Sequence, residues 1–565
     1  MASYTGNLDL YKVDPTVDGD DTFNIDLLLN NNWDKIDQFF NSLDSGTVKE
    51  EASSVVDINN ALNSGFYVAE NPSNAPVNNE LYLILVIANE GRVVQYAFTL
   101  GTKEIYFRFY TGSSWSNWNL VLTEADGIKK VNASSKPTIN DYDHEVGTLW
   151  IYDKNIYILV DNTVDDAVWE SVINDEKIKR VREYGLRWNK TTDTYTRLGD
   201  AQGLEVQGAG TTGEHLSDFD DIYPYSEMKR CNLSDNGVVN AYYGDPDFAT
   251  DGSNGQLMVE MHKHYYKTDH YTNGSGEEVF EFWIADGKKA GYEIEPNFYR
   301  DGSVKDKIYI GAVEGNVSGG KMRSIFSVQP TTEYTIGQFR GYAEARGAGW
   351  TQRDLLVTSL IQRLMIIEYG TFNLQSALSE GITNLDSGTG NHSQNTGYTD
   401  SLGNHSGEVI KSALDNGATG ASETYPFSYR GIENPYGNTW EFADGFIIKD
   451  DGYYFEDDHN NFNDTGSGYN HINVSPLTDS DGYVDNLQYL SDFEFAFIPK
   501  STGGTSSTHI TDYHWSHDAG EVNIARVGAD WHYGLRAGAF DWSLHSVASA
   551  SHRDISARLL YIPQE

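Results

Sequence analysis

Helical periodicity is sparse along this chain and strand-like alternation is frequent. In DLLLNNNWDKIDQFFNSL, Leu29, Trp33, Ile36, Phe40 and Leu43 recur at helical spacing, with Gly46 as a stop. A short helix with so large an apolar face needs a partner, from its own chain, from symmetry copies or from a larger assembly. TQRDLLVTSLIQRLMIIEYG predicts a second helix, with Thr351 as N-cap, Asp354 in the first turn and Gly370 as stop. Leu355, Leu356, Leu360, Ile361, Leu364, Ile366 and Ile367 make it apolar on most sides, so it belongs in a core. ELYLILVIANEGRVVQYAFTL and EIYFRFYTGSSWSNWNLVL alternate and are rich in β-branched and aromatic residues, as strands are. GTLWIYDKNIYILVDN reads as a hairpin carrying Trp150, Tyr152, Ile156 and Tyr157, and LMVEMHKHYYKTD and EEVFEFWIADGKKAGYEI read as paired strands.

The pattern divides the chain into a helix-containing segment (1–48), a β module (49–125), a β-hairpin spacer (126–177) and a large remainder (178–565). The expected fold class is multidomain and mainly β with α+β. Gly 54, Tyr 37 and an aromatic content of 13% fit short strands joined by tight turns, and also recognition surfaces built from Tyr, Trp, Ser, Gly and Asn.

Charge narrows the partners. The chain has 83 acidic and 40 basic residues, a formal net charge of -43, a field that repels phosphate backbones and anionic lipid heads. Nucleic acid and membrane insertion are therefore not expected, and no apolar run is long enough to span a bilayer. Cys231 is the single cysteine, which excludes an intrachain disulfide and a thiolate zinc cluster. MASYTGNLDLYKVDPTVDGDD has neither a basic n-region nor an apolar h-region, so no signal peptide is expected and synthesis is cytoplasmic.

Candidate chemistry changes this little. His262, His264 and His270 invite a metal reading, but no carboxylate completes a site of known spacing and an ordinary strand is the preferred reading. Asp479, Asp481 and Asp485 in LTDSDGYVDN suggest calcium, yet lack EF-hand spacing and the closing Glu, and an Asp/Gly turn accounts for them. No cofactor is expected beyond that calcium candidate. Hydrolysis of a surface glycan by paired carboxylates stays an alternative, although the sequence nominates no pair.

Three stretches carry resemblances. Ser64-Gly65-Phe66-Tyr67, Asn74-Ala75-Pro76, Gln95, Arg108, Tyr110, Gly112 and Trp115-Ser116-Asn117-Trp118 resemble the small knob module of phage tail fibres and pyocins. Asn434, Gly437, Asn438, Trp440 and Glu441 resemble the N-x-x-G-N-x-W-E-W signature of the formylglycine-generating-enzyme type of C-type lectin fold, with Phe442 in place of the second Trp. The cysteine chemistry of those enzymes has no counterpart here, so the resemblance implies the fold and no catalysis. Residues 526–560 resemble the variable region of proteins diversified by diversity-generating retroelements. The frame residues are Gly528, Trp531, Gly534, Gly538, Phe540, Trp542 and Arg558, with Asn438 and Trp440 supporting them.

Within that frame stand Asp530, His532, Tyr533, Arg536, Asp541, Ser543, His545, Ser546, Ala550, His552 and Asp554, all reachable from adenine-mutated Asn codons. The resemblance implies a bacteriophage tail-fibre receptor-binding protein, carried on the virion as a homotrimer. It would attach to tail or baseplate proteins through its N-terminus and bind a bacterial surface protein or glycan through the variable face. The alternatives are a tail-fibre lectin of fixed sequence and a glycan depolymerase.

Overall fold

The structure, a computed structural model, describes residues 181–564 throughout and, within 1–180, the strands and short segments named below. The chain is mainly β and divides into two compact units, Met1–Arg180 and Val181–Glu565. The helix expected over 29–43 lies outside the described residues.

In the first unit, Ser53–Ser54, Gly65–Glu70, Leu81–Asn89, Arg92–Thr99, Ile105–Tyr110 and Asn119–Leu122 form a six-stranded sheet in sequence order, antiparallel after the first pair. Alternation puts Tyr82, Ile84 and Val86 on its buried face. A cation is also built into this core. The Arg108 guanidinium lies 4.2 Å from the ring centroids of both Trp115 and Trp118, and its Nε donates to Gln95 Oε1 at 2.8 Å. Gln95 Nε2 in turn donates to the Ile58 carbonyl at 2.8 Å. A second sheet of five strands contains the expected hairpin, Leu149–Tyr152 antiparallel to Asn155–Asp161.

The second unit is organised around the helix Leu355–Tyr369, all of whose side chains are buried. Its N-cap is Asp354, which accepts from the Val357 N–H at 2.9 Å, and not Thr351 as the sequence suggests. Thr351 belongs to the strand Trp350–Gln352 and pairs with Leu560, so it has no helix end to cap. Gly370 ends the helix at φ 72, where its lack of a Cβ makes the left-handed turn inexpensive.

The expected pairing of LMVEMHKHYYKTD with EEVFEFWIADGKKAGYEI holds for the second half of the first stretch and is corrected for its first half, because the stretch is two strands, Gln256–His262 and Tyr265–Thr272. Gln256–His262 lies between Lys229–Leu233 and Lys307–Gly311, which occupy both of its edges. Glu278–Ala285 pairs with Tyr265–Thr272, as expected, and along its other edge with Glu183–Asn189.

The largest sheet has nine strands. Asn470–Ile472, Gly452–Phe455, Trp440–Lys449, Asn523–Gly528, Gly538–Val547, Tyr513–Trp515, Gly482–Leu487 and Pro499–Thr502 follow one another, and Ile555–Ser556 runs parallel to Trp440–Glu441. Leu559–Tyr561 leaves this sheet for another, between Lys307–Gly311 and Trp350–Gln352. Residues 526–560 are thereby held at both ends by central strands.

Candidate functional site: a recognition face on a sealed polar frame

The frame begins at the turn before Trp440. Asn434 (φ 45), Gly437 (φ 75) and Asn438 (φ 59) take left-handed conformations that Gly and Asn tolerate best. Asn438 is fully buried and bonded on both sides of its amide: Oδ1 accepts from Gln394 N at 2.7 Å, and Nδ2 donates to Glu314 Oε1 at 2.8 Å. Glu441 then bridges two buried arginines, Arg353 at 2.8 Å and Arg558 at 2.7 Å. Arg558 spends its remaining donors on the carbonyls of Gly311, Glu433 and Asn434. Each of these two arginines is thus paired with the shared carboxylate of Glu441, as buried charges require.

Strand alternation then divides the C-terminal residues. Phe540, Trp542 and Leu544 point into the hydrophobic core, and Trp542 Nε1 donates to the Phe497 carbonyl at 3.0 Å. Gly538 must be glycine because any Cβ there would run into the Asp512 carboxylate, which accepts from Phe540 N at 2.8 Å. Asp541, Ser543 and His545 share the opposite face of the strand. Arg526 is the direct cross-strand partner of Ser543 and donates Nη2 to its Oγ at 2.8 Å.

On that side a ladder of rings reaches the surface. Tyr533 stands edge-to-face with Trp440 (5.5 Å, 82°) and Trp515 (5.8 Å, 87°). Trp515 also meets His545 at 5.8 Å and Tyr513 at 4.9 Å, and Tyr513 meets Tyr483 at 5.3 Å. Two guanidinium groups lie on this ladder. Arg526 sits 5.1 Å from the Trp440 centroid, and Arg536 sits 4.9 Å from Tyr513 and 5.9 Å from Trp515.

Burial sets the electrostatics. It pushes the Asp541 carboxyl well above the usual range, with nearby Asp512 adding to the effect. Asp512 is pushed up to about 8 by burial. Burial raises Asp530 to about 6 against the opposing pull of His532, whose Nδ1 is 2.5 Å from Asp530 Oδ1. That bond in turn raises His532. Burial lowers His545, and the neighbouring Arg526 lowers it further. Both Asp541 oxygens and Asp530 Oδ2 lack a hydrogen-bond partner, which fits carboxyls that keep a proton more readily than exposed ones do.

The structure therefore separates the residues read from sequence as one face. Arg536 and His552 are exposed, and His532, Tyr533, His545, Ala550 and Asp554 are half-buried. Asp530, Asp541, Ser543 and Ser546 are buried, in contrast to the surface expectation. Asp541, Ser543 and Ser546 lie on a strand flanked on both sides, and Asp530 is turned inward beneath His532. Of the frame residues, Gly528, Trp531, Gly538, Phe540, Trp542, Arg558, Trp440 and Asn438 are buried, and Gly534 forms an open turn at φ 57.

Sequence reasoning missed Tyr483, Tyr513 and Trp515. The available signal was the alternation of Tyr513 and Trp515 around His514, but their nearness to Ser543 depends on a long-range parallel pairing, Trp515 with Ser543.

The metal candidates are not brought together. His262 pairs with Glu260 at 2.5 Å, His264 bonds the His262 carbonyl at 2.9 Å, and His270 pairs with Glu278 at 3.0 Å. Asp481 accepts from Ser516, and Asp485 accepts from Lys190 and Ser501. Among the described residues, no group of three His, Cys, Asp or Glu side chains is arranged to hold a metal ion. No helix there is long and apolar enough to cross a membrane.

No protein-family model matches the chain, and no curated protein matches it. Among solved structures, the Major Tropism Determinant M1 variant is similar at 11% identity over 91% of this chain and 98% of that one, with a TM-score of 0.21. An N-truncated R2-type pyocin tail fiber is similar at 10% identity over 42% of this chain and 99% of that one, with a TM-score of 0.13. The R2 pyocin fiber of P. aeruginosa is similar at 10% identity over 50% of this chain and 100% of that one, with a TM-score of 0.12.

Proposed function

We propose that this chain is a receptor-binding protein of a phage tail, which attaches to a bacterial surface through the face built from residues 526–560 on a C-type lectin-like frame. The observation that carries the reading is the separation of frame from face. Trp440, Glu441, Gly538, Trp542 and Arg558 are sealed in packing and ion pairs, while Tyr533, Arg536, His545 and His552 reach solvent beside them. Side chains at such positions can change without loss of the fold, and Tyr, Trp and Arg are the residue types that dominate binding energy at protein surfaces.

The sequence resemblance to retroelement-diversified proteins extends the reading. The exposed and half-buried positions are the ones that diversify, three copies of the chain add avidity, and segment 1–48 joins the tail. The protein is made in the host cytoplasm and carried on the virion, and it performs no catalysis. The test is attachment of the full chain to a panel of bacterial strains. Tyr533→Ala should abolish attachment to any strain the native chain binds, while Leu216→Ser, an exposed site on a strand outside 526–560, should leave it unchanged. Attachment that ignores Tyr533 contradicts the proposal, and release of glycan fragments from the cells would favour the depolymerase.

A further inference from the structure

Arg536 stands apart from the other charges of this face. Arg526 is buried and bonded to Ser543, and Arg553 donates Nη1 to the carbonyls of Gly388 and Gly390. The Arg536 guanidinium is exposed, and among the described residues it has no hydrogen-bond or ion-pair partner. It is nevertheless held in place, lying on the rings of Tyr513 and Trp515. Those rings come from the strand Tyr513–Trp515, outside the diversified stretch. With the Cζ held over these rings and no N–H group bonded to a described residue, the N–H groups are left to form the fork that matches a carboxylate.

Within residues 526–560 the charge at the surface beside these rings is the cation of Arg536, although the chain as a whole is acidic. Residues 526–560 hold four arginines, no lysine and no glutamate, against Asp530, Asp541 and Asp554, in a protein with 83 acidic and 40 basic residues. Within residues 526–560 Asp530 and Asp541 are fully buried and Arg536 is exposed, while the exposed carboxylates of Asp481 and Asp518 lie toward His545. The surroundings suit a polypeptide better than a sugar ring. Successive rings of the ladder meet at 82°, 51° and 87°, which gives a ridged surface and not a flat stacking platform. Leu535 is 59% exposed beside Arg536, and such apolar contacts around an arginine anchor are typical of protein interfaces.

The geometry points to Arg536, seated on the constant rings of Tyr513 and Trp515, as the residue that takes a carboxylate side chain of a protein receptor. This rests on the reading of the face as receptor-binding and names the chemistry of its partner.

Calorimetric titration of the full chain with poly-L-glutamate, and separately with oligogalacturonate, tests it. The net charge of -43 opposes both polymers equally, so binding reports a local site. The expected result is binding of poly-L-glutamate that weakens about tenfold in Arg536→Gln and is only partly kept in Arg536→Lys, which retains the charge but lacks the fork. Absence of binding, equal binding by Arg536→Gln, or tighter binding of oligogalacturonate overturns the inference. The two claims fail separately. Cell attachment lost in Tyr533→Ala, with poly-L-glutamate binding indifferent to Arg536→Gln, keeps the receptor-binding reading and overturns this one. Arg536-dependent poly-L-glutamate binding without attachment to any strain does the reverse.

Discussion

Glu441 shows at a single residue how the frame is held by contacts that do not involve the exposed side chains of the face. It pairs with Arg353 and Arg558 at once, and Arg558 ties the 526–560 segment to the carbonyls before Trp440. Removing one partner from a buried ion pair strands the other charge. Glu441→Gln should therefore lower the stability of the second unit by about 3–5 kcal/mol in chemical denaturation. By contrast, Arg536→Ser, which removes an exposed side chain, should stay within about 0.5 kcal/mol of the native chain. The buried identities of Trp440, Gly538 and Trp542 were legible in the sequence, because small and aromatic residues recur there in a fixed pattern. The depth of Asp541 and Ser543 was not, since alternation gives two faces and does not say that both are covered.

At the scale of elements, the helix Leu355–Tyr369 shows how tertiary contacts choose a boundary. Asp354 caps the helix and also receives Arg300 Nη1 at 2.6 Å, while Thr351 Oγ1 is buried without a partner. Asp354→Ala removes a cap and leaves a buried guanidinium, and should cost at least about 3 kcal/mol. Thr351→Val deletes an unsatisfied hydroxyl and should cost less than about 1 kcal/mol in the same denaturation experiment. Large values for both would restore Thr351 to the cap. The sequence signalled the helix because its apolar run is long, but both Thr and Asp are good caps, and only the strand pairing of Thr351 with Leu560 decides between them. The ring ladder was hidden for a related reason: Tyr483, Tyr513 and Trp515 reach Tyr533 through pairings between distant strands.

Across the whole molecule, buried ionisable groups predict how stability follows pH. Burial raises Asp512 and Glu314 to about 8 and Glu295 to about 7, and lowers His264 and His514 to about 4. A carboxyl raised on folding contributes stability that is full below its unfolded pKa and is lost as pH climbs to the folded value. A histidine lowered on folding acts oppositely, adding stability between about pH 4 and its ordinary value near 6.5. The two histidines offset the three carboxyls in part up to about pH 6.5, and above it only the carboxyls remain. The melting temperature should therefore fall between pH 6.5 and 8, and Asp512→Asn should flatten that decline in a thermal scan.

The central claim, a fixed frame carrying a changeable face, is tested most directly by sequencing the DNA encoding residues 526–560, with its flanks, across many progeny of one phage lineage. The account predicts substitutions at Tyr533, Arg536, His545 and the other positions that reach solvent, a template repeat nearby, and constancy at Gly538, Trp542 and Arg558. An unchanging segment without a repeat, or substitutions spread equally over the frame, would contradict it.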